Sequence, residues 1–72
     1  MEYDYSKLKG RIIEVYETQG NFANAMGKTQ ETLSKKLNNI RRFDQNEITL
    51  AVQLLNISPE DINSYFFKQK VQ

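Results

Sequence analysis

Cysteine and histidine are both absent from the 72 residues. That excludes disulfides, thiolate nucleophiles, zinc fingers and histidine-based general catalysis together. Proline occurs once and glycine three times, so no stretch has linker composition, and no low-complexity segment or internal repeat stands out. No apolar run approaches the roughly 20 residues of a membrane span. The polar opening MEYDYSKLKG has no apolar stretch of signal-peptide length, so a soluble chain without membrane contact is expected. The length suits one domain, residues 1–72, and leaves little room for an enclosed active site. The serines have no histidine to activate them. Glu14, Glu17, Glu60 and Asp61 read as exposed charges or helix caps. A non-enzymatic protein without metal or cofactor is expected.

Charge of one sign is also lacking: ten Lys and Arg against nine Asp and Glu leave +1. The distribution is less even. Lys28, Lys35, Lys36, Arg41 and Arg42 face only Glu31 between residues 28 and 42, a balance of +4 on a remainder of −3. A basic middle on an acidic body suits a polyanion. The same charges equally suit a solvated helix face.

What the chain does have is helical periodicity with strong end signals. The first predicted helix, about 5–17, carries Leu8, Ile12 and Tyr16 with Ile13 alongside, after Asp4 as N-cap; Gly10 weakens its middle. The second, about 19–26, follows Thr18 as cap, buries Phe22, Ala23 and Met26, and ends at Gly27. The third, about 30–38, follows Thr29 and has only Leu33 and Leu37 as its stripe; Asn39 terminates it in a left-handed conformation. The fourth, about 45–55, opens on a capping box of Asp44 and Glu47 and carries Ile48, Ala51, Val52 and Leu55, widened by Leu50 and Leu54, before Asn56. The fifth starts at Ser58 with Pro59 at its first position and Asp61 closing a box, and carries Ile62, Tyr65, Phe66 and Phe67. Residues 68–72 read as a frayed tail. The fold class is all-α, five helices around one core.

The link Gly27-Lys28-Thr29 forces the second and third helices to cross steeply. Ala23 is small where they approach, and Leu33 can plug the junction. The third helix is otherwise polar, a face suited to a DNA major groove. In that setting Gln30, Glu31, Ser34 and Lys35 stand where base edges would be read, and Gln19, Asn38, Asn39, Arg41 and Arg42 where phosphates would be held. The alternatives are plainer: exposed helix formers for the first set, solubilising loop charges for Arg41 and Arg42.

At these residues the chain resembles the Cro and repressor class of phage helix-turn-helix regulators. The resemblance rests on QGNFANAMGKTQETLSKKLNN, residues 19–39, with Phe22, Ala23, Met26, Gly27 and Leu33 at the core positions of the pattern. It extends to small Cro-like phage proteins through the opening YDYSKLKGRI, the LNN after the third helix and the ending YFF. It implies a compact five-helix, lambda-repressor-like DNA-binding domain with its helix-turn-helix at 19–38. It also implies a transcriptional repressor of phage or prophage origin that binds a palindromic DNA operator as a homodimer, competes with a partner repressor and works in the bacterial host cytoplasm. Two residues depart from the pattern. Lys28 stands where an apolar side chain lies under the turn, and Lys36 where one closes the third helix. Lys28 can snorkel.

The other reading keeps the fold and turns its surface to another protein, as an anti-repressor or repressor-binding partner does. Tyr65, Phe66 and Phe67 motivate it, because three consecutive aromatics cannot all face one small core. A dimer contact through these residues is the expectation; the plainer reading puts two in the core and one outside it.

Overall fold

The computed structural model describes residues 2–71, and in it the chain forms five α-helices and no strand. They are α1 (Ser6–Tyr16), α2 (Gln19–Ala25), α3 (Gln30–Leu37), α4 (Gln45–Leu54) and α5 (Ile62–Phe66), the last entered through a 3-10 turn at Pro59–Asp61. The local signals explain most of the boundaries. The Thr18 hydroxyl accepts the Asn21 amide at 3.0 Å and the Thr29 hydroxyl accepts the Thr32 amide at 3.2 Å. Asp44 and Glu47 form a reciprocal box: the Glu47 amide donates to Asp44 at 2.7 Å and the Asp44 amide to Glu47 at 2.8 Å. Each satisfies an amide that a helix start leaves without a partner.

Three helices end alike. Gly27, Asn39 and Asn56 have φ of 71°, 64° and 52°. The next amide turns back to the helix: Lys28 to the Ala23 carbonyl, Ile40 to Lys35 and Ile57 to Val52, at 2.9, 2.9 and 3.0 Å. This is the six-to-one bond of a Schellman ending.

Several expectations differ from the structure. Tyr5, not Asp4, stands at the N-cap of α1 and makes no side-chain cap, while Asp4 one residue earlier accepts the Ser6 amide at 2.9 Å. Ser58 makes no side-chain cap. The Asp61 amide that it would have accepted donates instead to the Ser58 carbonyl at 2.9 Å, because the turn is 3-10. The tail is not wholly frayed either. The Asp4 amide donates to the Lys68 carbonyl at 2.7 Å and the Lys70 amide to the Glu2 carbonyl at 3.1 Å, around an antiparallel bridge from Tyr3 to Gln69. Gln72, the end of the predicted tail, lies outside the described residues.

The core joins Leu8 and Ile12 of α1, Phe22 and Ala23 of α2, Leu33 and Leu37 of α3, Ala51 and Leu55 from α4 and its end, and Phe66 of α5. Ile13, placed beside the apolar face by its spacing, is 49% exposed. α1 packs on α2 and α5, and α2 on α3. Arg11 of α1 donates through Nε to the Leu55 carbonyl at 2.9 Å and so caps α4. The radius of gyration is 11.2 Å, close to the about 11 Å expected of a compact chain this long. Among the described residues no helix is long and apolar enough to cross a membrane.

Gly10 is the weak point of α1. It is exposed, lies in mid-helix and has nothing within 4 Å of the place a Cβ would occupy. Gly10→Ala is therefore expected to stabilise the protein by about 1 kcal/mol and to raise the melting midpoint by about 4–8 °C. A thermal melt followed by circular dichroism checks this, and an unchanged or lower midpoint contradicts the assignment.

Candidate functional site

The polar outer face of α3 is occupied by its own neighbours. Glu31 and Lys35 pair across one turn at 3.3 Å. The Asn38 side-chain amide donates to the Ser34 hydroxyl at 3.2 Å. Gln30 is exposed but folds back toward α2, its amide oxygen 3.2 Å from where a Cβ on Gly20 would stand. Gln19 is half-buried at the start of α2. The Asn39 side chain clamps the N-terminal segment: its oxygen accepts the Tyr3 amide and its nitrogen donates to the Tyr3 carbonyl, both at 2.9 Å. Of the nine residues assigned to DNA, only Arg41 and Arg42 are exposed cations without an ion pair among the described residues.

Below this face lies a charge cluster. Glu47 of α4 is 6% exposed. One of its carboxylate oxygens takes the Asp44 amide, and the other accepts from the Lys36 ammonium and lies 3.5 Å from that of Lys28. Burial raises the Glu47 pKa, but the Lys36 hydrogen bond, the Asp44 amide and the charges of Lys36 and Lys28 outweigh it and hold the carboxyl below its ordinary value. The two lysines that depart from the repressor pattern thus converge on one acid. Lys36 is buried and Lys28 reaches in from the surface along its stem.

The second feature was not visible as a unit in the sequence. Five of the eight aromatic residues gather where the chain ends meet. Tyr3 stacks edge-on to Phe67 at 5.9 Å, Tyr5 to Phe43 at 5.5 Å and Phe43 to Phe66 at 5.5 Å. Together with Ile48 and Arg42 they line a cleft of about 230 Å³. The Arg42 guanidinium lies 5.6 Å from the centre of the Tyr3 ring. Burial pushes the Tyr5 phenol up in pKa, with Tyr3 adding to the effect and Arg42 opposing it.

Of the three C-terminal aromatics read as a dimer contact, Phe66 is in the core at 1% exposure, Tyr65 is half-buried with the Lys7 ammonium 4.7 Å above its ring, and Phe67 is 44% exposed at the cleft. Tyr3, Tyr5 and Phe43 are joined to these by no local sequence pattern. The signal that could have united them is the placing of YDY and YFF at opposite ends of one short chain.

The chain matches a family model described as "Protein of unknown function (DUF739)" over residues 1–69, and it belongs to that family. A solved structure similar to it is the solution structure of the modulator of repression (MOR) of the temperate bacteriophage TP901-1 from Lactococcus lactis. The two are 49% identical, with a TM-score of 0.82 over 100% of this chain and 97% of that one. No curated protein matches the sequence.

This likeness corrects the expectation of a Cro-type, operator-reading repressor, since the full-length relative is a modulator of repression. It gives no support to a palindromic operator or a homodimer. The physical reason lies in the charges. The +4 segment on which the polyanion reading leaned is largely paired, Lys28 and Lys36 with Glu47 and Lys35 with Glu31.

The cluster has a testable signature. Glu47→Gln keeps the capping box but leaves Lys36 buried without its counter-ion, and is expected to cost about 3 kcal/mol, the low end for a broken buried pair. Replacing Lys36 with Met in the same variant should recover most of that loss. The pH dependence follows from the direction of the shift. The folded Glu47 binds a proton less readily than the unfolded one, so its contribution is present above the ordinary value and is lost as pH falls through the folded one. Stability should hold level to about pH 5 and decline below about pH 4.3. Urea unfolding as a function of pH checks both, and a Glu47→Gln variant with wild-type stability refutes the cluster's role.

Proposed function

We propose that this protein is a modulator of repression of phage or prophage origin that works by binding a repressor protein in the bacterial host cytoplasm. The observation that carries this reading is the full-length likeness, at 49% identity, to the TP901-1 modulator of repression. The burial of Lys36 against Glu47 supports it, because a cation enclosed with its own carboxylate is withdrawn from any phosphate outside. On this reading α2 and α3, joined by a short turn at Gly27, keep a helix-turn-helix outline within a single repressor-like domain and serve as scaffold. The work is done by surface contacts, without catalysis, metal or cofactor.

Two assays test the proposal. In a reporter strain with a repressed phage promoter, expression of the protein should change reporter output only when the repressor is present. In titration calorimetry, the purified protein should bind the repressor of TP901-1, and it should not shift an operator fragment by itself. A sequence-specific shift of operator DNA without repressor, or absence of binding to the repressor, sinks the proposal.

A further inference from the structure

We infer that the aromatic cleft is the partner's docking site, and that its occupant is an apolar side chain of about Phe or Leu size, flanked by a carboxylate, on a segment of the bound protein. This rests on the reading that the partner is a protein, and it adds where and what that protein touches. The volume argues for a side chain. About 230 Å³ falls short of the about 300–1,000 Å³ usual for small-molecule sites, but suits one apolar anchor of the kind that dominates protein interfaces.

The exposure of apolar surface agrees. Phe67 at the cleft is 44% exposed, while Phe66 beneath it is buried. Phe67 is thus the part of the cleft wall that an incoming apolar side chain can reach directly.

The charge argument names the flanking group. Arg42 lines the cleft and has no ion pair among the described residues, whereas the acids nearby are engaged. Asp4 takes the Ser6 amide and hydroxyl and faces Lys68, and Asp44 caps α4. The cleft mouth therefore presents positive charge that the protein does not neutralise itself. Arg42 is also already oriented by the Tyr3 ring, which lowers the ordering cost of meeting a carboxylate.

Nuclear magnetic resonance of the intact protein tests this with the peptide Ac-Glu-Phe-Glu-NH2. Saturable shifts are expected at the amides of Tyr3, Arg42, Phe43 and Phe67, with little change along the outer face of α3. The charge-reversed Ac-Lys-Phe-Lys-NH2 should bind about tenfold more weakly. Both Arg42→Glu and Phe67→Ala lie at exposed positions and should fold, which a melt verifies. Each should weaken binding of the TP901-1 repressor about tenfold or more.

Shifts confined to α3, or equal binding of the two peptides, overturn the inference. Cleft shifts that grow with protein concentration alone also do so, by giving the cleft to a second copy. If the repressor binds wild type and both variants equally, the cleft is wrong and the repressor reading stands. If the peptide fills the cleft as expected and the repressor does not bind, the cleft stands and the repressor reading falls.

Discussion

The Glu47 carboxylate is the interaction on which most of the architecture turns. One oxygen closes the capping box of α4, and the other receives Lys36 from α3 and faces Lys28 from the turn before it. A single buried acid thus ties the start of α4 to both ends of the α3 segment. Such a cluster contributes less to net stability than its geometry suggests, because burying the charges of Glu47 and Lys36 carries a large desolvation cost. Its effect is on register. An apolar replacement could pack as well, but it would not specify which end of α4 meets which turn of α3. Leu33 and Leu37 give α3 a narrow apolar stripe, so this polar tie does what a wider stripe does elsewhere.

With α3 and α4 held, the loop between them is short and its path determined. Asn39, left-handed at the end of α3, directs its side-chain amide at the Tyr3 backbone. The N-terminal segment is thereby laid beside the C-terminal one, and residues 2–4 and 68–70 hydrogen-bond across the gap. The cleft is the consequence. Its walls come from both ends of the chain and from Phe43 in the loop, so it exists only when the whole domain is folded. In a molecule that buries so little, placing an apolar opening where three segments meet uses the same aromatics for cohesion and for recognition.

What could be read in advance follows from the range of each interaction. Thr18, Thr29, Asp44, Gly27, Asn39 and Asn56 act on amides and carbonyls a few residues away, and their positions located the helices. Ser58 failed because a local choice between a 3-10 and an α turn is settled by a single hydrogen bond. The pairing of Lys28 and Lys36 with Glu47 spans 19 and 11 positions, and nothing in composition or periodicity links them. Read singly, they looked like departures from a repressor pattern and additions to a basic patch. The cleft joins Tyr3 to Phe67, and no local pattern reveals that. Fold was therefore legible from short-range chemistry, while function depended on contacts that only folding brings together.

The same consideration explains how a repressor-like pattern can sit on a chain that is similar to a modulator of repression. The positions that create the pattern are those that pack α2 against α3: Phe22, Ala23, Met26 and Leu33, all buried. They report how two helices cross, and a crossing is compatible with any surface. What distinguishes a reader of phosphates from a reader of proteins is whether its cations remain free. Here Lys28 and Lys36 converge on an acid and Lys35 pairs with Glu31, while Arg42 remains beside an apolar opening. Cations spread along an uncovered polar helix attract a line of phosphates wherever they lie. A cation at the mouth of an aromatic cleft suits a carboxylate that arrives with an apolar neighbour, which is the chemistry of a folded protein's side chains rather than of a nucleic acid backbone.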